Sequence, residues 1–80
     1  IGIRVFPNPA SEFISLDLKS SISFKSLSII SLSGKEMLRL SSPDKLEQID
    51  IGFLADGVYL MNVYTENGSR VVEKLIVNKQ

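Results

Sequence analysis

Eighty residues with zero formal net charge, 44% of them hydrophobic and 22% charged, define one short globular domain and argue against disorder. Nine basic residues are matched by nine acidic ones and do not cluster, which excludes a nucleic-acid footprint and a basic membrane-surface helix. The absence of cysteine and histidine excludes disulfides, zinc held by these residues, and nucleophilic catalysis of the Ser-His or Cys-His kind.

The chain begins at Ile1, without Met or a signal-peptide pattern, and reads as a piece of a longer polypeptide. Ile3 to Phe6 is a short strand, stopped by Pro7-Asn8-Pro9 because neither proline can donate a ladder hydrogen bond. Glu12 to Leu18 alternates apolar and polar residues, as a half-buried strand does. Ile22 to Leu32 changes phase, which places a bulge near Lys25-Ser26 and a firm strand over Leu27 to Leu32. Ser33-Gly34 is a two-residue turn, and Lys35 to Leu40 returns as the hairpin partner, with Met37 or Leu38 packing. Ser41 to Asp44 is a loop, and Leu46 to Ile51 alternates again.

The longest apolar run follows the turn signal Asp56-Gly57. Val58 to Thr65 reads as the central strand of a sheet, buried on much of both faces. Leu54 plugs the core just before it. Asn67-Gly68 has the residues of a type I′ hairpin turn. Arg70 to Val77 is the last strand, with Val71, Leu75 and Val77 on one face and Val72 and Ile76 on the other, so that pattern alone leaves its inward face open. About seven short strands and no helical periodicity predict an all-β, antiparallel sandwich. Its predicted core contains Leu16, Ile29, Ile49, Ile51, Tyr59, Met61 and Val63.

Chemistry-bearing patterns are weak. No two acidic residues have the close alternating spacing of a calcium loop. Ser33-Gly34-Lys35 lacks the upstream glycine and the following helix of a phosphate loop, so a hairpin turn is the better reading. Asn67-Gly68-Ser69 matches a glycosylation sequon, but its turn role accounts for it. Tyr59 and Tyr64 are candidates for stacking on sugars, although a central strand places at least one in the core.

Four pieces taken together are more specific: VFPNPAS at Val5 to Ser11, SIISLSGKEM at Ser28 to Met37, LADGVYLMNV at Leu54 to Val63, and EKLIV at Glu73 to Val77. In this order and spacing they resemble the C-terminal sorting domain of the type IX secretion system, the Por system of the Bacteroidota, over essentially the whole chain. Many members have an aromatic and an acidic residue where this chain has Ile30-Ser31. The resemblance implies an immunoglobulin-like sandwich, no enzyme activity and no cofactor. It implies an exported sorting signal over residues 1–80, preceded by a cargo domain. The cargo passes through the periplasm and the outer-membrane translocon to the cell surface or medium, where a surface sortase removes the domain. Nucleic acid and membrane insertion have no part in this picture.

Recognition is expected at the chain end, on Lys74, Leu75, Ile76, Val77 and Lys79, because an end strand can offer its backbone edge to a receptor. The corner Pro7, Asn8 and Pro9 comes second. Removing residues 77–80 is expected to cost little core. The alternative from another class is a small extracellular carbohydrate-binding or adhesive module.

Overall fold

Alternation of apolar and polar residues produces seven strands in the computed structural model, which describes residues 3–19, 22–41 and 46–79. They are β1 (Ile3–Phe6), β2 (Phe13–Leu18), β3 (Phe24–Ser31), β4 (Glu36–Leu40), β5 (Ile49–Asp50), β6 (Gly57–Thr65) and β7 (Arg70–Val77), with no helix among the described residues. One sheet has the order β1-β2-β5 and the other β4-β3-β6-β7, and every strand pairing within them is antiparallel. This is the expected immunoglobulin-like sandwich.

The core lies between the sheets. Ile14 and Leu16 of β2 are buried in one cluster with Leu27 and Ile29 of β3, Tyr59, Met61 and Val63 of β6, and Leu75 and Val77 of β7. Connecting segments add Ala10, Leu46, Ile51 and Leu54. All seven predicted core residues are buried, and Leu54 closes the core as expected. Each large aliphatic side chain so buried contributes about 1.5–3 kcal/mol.

The phase slip in β3 is real: its pairing with β6 shifts register between Phe24 and Ser26. Both long hairpins use one device. Gly34 N donates to Ser31 O at 2.9 Å and Gly68 N donates to Thr65 O at 3.1 Å. Gly34 has φ +94° and Gly68 φ +90°. In each loop a hydroxyl at the first position caps a main-chain amide, Ser31 Oγ accepting from Lys35 N and Thr65 Oγ1 from Ser69 N, both at 3.1 Å.

Several expectations need correction. Asn67 does not have positive φ, so the β6–β7 turn is a type I turn closed by a left-handed glycine and not type I′. Leu32, expected in β3, lies in the β3–β4 turn and is 70% exposed. The predicted strand over Leu46 to Ile51 shrinks to Ile49–Asp50, because the buried spacing from Leu46 to Ile49 is three residues and breaks the two-residue period of a strand. Leu46 still meets β2, its carbonyl accepting from Leu16 N at 2.7 Å. β6 is central and fully buried on its inner face; on its outer face Asn62 is buried and Tyr64 half-buried, but Val58 and Leu60 stay 39% and 38% exposed. Buried Leu75 and Val77 settle the inward face of β7. The predicted loop over 41–44 lies outside the described residues except for Ser41, as do Ser20 and Ser21 of the earlier loop.

Candidate functional site

β7 is an outer strand of the four-stranded sheet, so half of its main-chain groups point away from β6. The Pro7-Asn8-Pro9 segment lies along that edge. Neither proline has an N–H to give, and the Asn8 side chain takes the place of a peptide unit. Its Nδ2 donates to Lys74 O at 2.9 Å and its Oδ1 accepts from Ile76 N at 3.0 Å. Ala10 continues with its own backbone: Ala10 N donates to Ile76 O and Asn78 N donates to Ala10 O, both at 2.8 Å. The result is a parallel bridge between Ala10 and Val77. Ala10 is 2% exposed. The peptide bonds before Pro7 and Pro9 are cis.

The end of the chain is tied down on its other side. Lys79 N donates to Asp56 Oδ1 at 3.1 Å. Lys79 Nζ donates to Gly52 O. The connection between β5 and β6 thereby holds the residues that follow β7.

The structure thus brings both sets of predicted recognition residues to one place. Pro7, Asn8, Pro9, Lys74 and Lys79 are exposed there, and Ile76 is half-buried on the outer face. Leu75 and Val77 are different: their side chains belong to the core. The expectation of a free backbone edge is corrected as well. From Lys74 O to Asn78 N the edge is filled by Asn8 and Ala10. Only the part nearer Val72 is left uncovered among the described residues.

Ala10 and Asp56 complete this site, although in the sequence Ala10 stands only within VFPNPAS and Asp56 only as part of a turn signal. A signal for this strap, the segment Pro7 to Ala10 laid along β7, existed in the pattern of an amide side chain flanked by two residues that cannot donate.

Other candidates resolve locally. Ser33-Gly34-Lys35 is the hairpin turn described above. Asn67 Oδ1 accepts from Thr65 Oγ1 at 2.5 Å and from Ser69 N at 3.1 Å, inside its own loop. Tyr59 is buried, and its hydroxyl donates to Ala55 O at 2.7 Å. Tyr64 is half-buried beside a shallow groove that Lys25 and Arg39 also line. Among the described residues no three acidic, histidine or cysteine side chains gather to hold a metal. Glu36 is held below its ordinary pKa, first by the Arg39 guanidinium and then by the Ser28 hydroxyl, against a smaller opposing effect of burial.

Comparison with known proteins gives one family. The model described as "Secretion system C-terminal sorting domain" matches residues 4–78. No curated protein matches the chain.

Proposed function

The chain belongs to the type IX secretion C-terminal sorting domain family, and from that premise we propose that it is an address read at its joined chain ends. Membership in this family makes the domain a sorting signal for export to the cell surface or extracellular space. The finer reading is a cargo domain ahead of the chain, carried into the periplasm and then delivered by this domain to the outer-membrane translocon. A surface sortase then cuts the domain away.

The observation that supports this most is the family match over 4–78, which spans the strap and the whole of β7. Physical chemistry is in keeping with it. A label used on many cargoes should fold by itself and carry no chemistry, and the core is completed by β7 together with its strap. The readable groups are then exposed Lys74, the proline corner, and the tethered Lys79.

A fusion tests the reading. The domain is attached behind a periplasmic reporter in a host with the type IX system, and the reporter is assayed at the surface and in the medium. The expected result is export, with a reporter mass at the surface lower than that of the fusion if the sortase acts. Retention of the intact fusion in the periplasm would sink the sorting role, and the carbohydrate-binding or adhesive alternative would then lead.

A further inference from the structure

The outer face of the four-stranded sheet is divided. Towards the β6–β7 turn it carries Ser26, Ser28, Asn62, Arg39, Arg70 and the half-buried Tyr64. Towards the chain end it carries Ile30, Val58, Leu60 and Ile76, with Val72 at the boundary opposite Asn62, because these residues alternate with the buried side chains of β3, β6 and β7. Val58 is paired with Ile76, Ile30 with Leu60, and Val72 lies diagonal to Leu60. Val58, Leu60 and Val72 are 39%, 38% and 44% exposed.

Lys74 stands among them. It is directly opposite Leu60, with Val72 and Ile76 on either side along its own strand. No acidic group lies within ion-pair distance of it among the described residues. The acidic residue of the same cross-strand row is Glu36, opposite Ile30, and it is already engaged by Arg39 and Ser28. The uncompensated charge of this apolar half-face is therefore positive. Asn8 holds the Lys74 carbonyl and the Ile76 amide behind it, which ties β7 at this patch to the Pro7-Asn8-Pro9 segment.

We propose that this half-face is a docking surface for a protein partner that presents an apolar patch with a carboxylate set against Lys74. The inference rests on the sorting reading and supplies the chemistry of the receptor. Apolar area supplies attraction without direction, and the single charge fixes register and rejects partners that place a cation there. A lone lysine ringed by Leu60, Val72 and Ile76 gains most when its counter-charge arrives together with the surface that excludes water.

The test uses the reporter fusion with Leu60→Asp, Lys74→Glu, Lys74→Arg and, as a control on the other sheet, Phe13→Asp, whose parent side chain is 40% exposed. Thermal unfolding is measured on each, and Leu60→Ser and Val72→Ser replace Leu60→Asp should it fail to fold. Export is expected to fall tenfold or more for folded Leu60→Asp and Lys74→Glu, and to stay near the parent for Lys74→Arg and Phe13→Asp. Folded Leu60→Asp and Lys74→Glu that export at the parent level overturn the proposal while leaving the sorting role intact. So does a parent domain that sediments as a dimer and becomes a monomer on Leu60→Asp, since a second copy then covers the face. Binding of the parent to vesicles of anionic glycolipid, lost in Lys74→Glu, overturns it in favour of a lipid surface. Failure of the parent itself to export removes the reading on which the proposal stands.

Discussion

Asn8 and Ile76 lie 68 positions apart, and the Ile76 amide donates to the Asn8 side-chain oxygen at 3.0 Å. With the Asn8 Nδ2 on Lys74 O, one side chain satisfies two main-chain groups on the exposed edge of β7. Main-chain donors are scarce here, because Pro7 and Pro9 have no N–H. The strap therefore closes an edge that would otherwise invite pairing with another chain.

Replacing Asn8 separates the two bonds. Asn8→Ala removes both and should cost about 1 kcal/mol, the lower range for two exposed hydrogen bonds. Asn8→Asp keeps an acceptor for Ile76 N but sets a carboxylate oxygen against Lys74 O. Amide hydrogen exchange distinguishes them. Ile76 should lose protection in Asn8→Ala and keep most of it in Asn8→Asp, whereas Asn78, held by Ala10 O, should change little in either. Equal protection of Ile76 in the parent and in Asn8→Ala would show that the strap does not depend on Asn8.

The two hairpin glycines make a matched pair. A Cβ at Gly34 or Gly68 meets nothing within 4 Å, so any cost of Ala comes from the positive φ and not from a clash. Gly34→Ala and Gly68→Ala should each destabilise by about 1 kcal/mol. The glycines sit at opposite ends of the four-stranded sheet, and the double variant should show the sum. Denaturant midpoints of the four proteins check this, and a neutral Gly68→Ala would contradict the left-handed closure of that turn.

Glu36 gives a pH signature. Its folded pKa lies below the ordinary value of 4.5, because Arg39 and Ser28 favour the charged carboxylate. A depressed folded pKa adds stability that is fully present above the unfolded value and is lost as pH falls through the folded one. The parent should therefore be more stable than Glu36→Gln above pH 4.5, with the difference closing in more acidic solution. The pair is exposed, so the difference should be small and should shrink in salt. A difference independent of pH would remove the charge from the explanation.

Strand positions and core residues were legible because period-two alternation records which face is buried. Leu16, Ile29 and Met61 announce themselves that way. Where burial departs from the period, the pattern misleads: Leu46 is buried ahead of a two-residue strand, and the apolar run Val58 to Val63 suggests two buried faces, whereas Val58 and Leu60 on the outer one stay exposed and Asn62 beside them is buried. The inward face of β7 needed the opposing sheet to decide it. The candidate site was legible only as two separate stretches. Their contact joins residues at the two ends of the chain through an amide side chain, and local periodicity carries no trace of such a pairing. The turn at Asn67-Gly68 was located correctly but given the wrong type. Its Thr65 hydroxyl and left-handed Gly68 repeat the Ser31 and Gly34 arrangement, a likeness visible only once the two loops are compared in space.

Truncation separates the signal from the fold, provided that the cut is placed by burial. Ending the chain at Ile76 removes Val77, which is 2% exposed, together with the Asn78 bond to Ala10 and the Lys79 tether to Asp56. Loss of the valine alone should cost about 1.5–3 kcal/mol, a large part of the 5–15 kcal/mol or so that a small domain has. A defect in export from that variant would not tell signal from stability. Ending the chain at Asn78 keeps Val77 and the Ala10 bond and removes only Lys79 and Gln80. It should unfold within a few tenths of a kcal/mol of the parent, as the loss of an exposed tether implies. Val77→Ala supplies the converse, a weakened core with the tail intact. If Lys79 is part of the address, the chain ending at Asn78 should retain its cargo in the periplasm while Val77→Ala, assayed well below its unfolding temperature, exports it. A folded chain ending at Asn78 that exports at full yield would place the address wholly on the sheet, among Lys74, Ile76 and the strap.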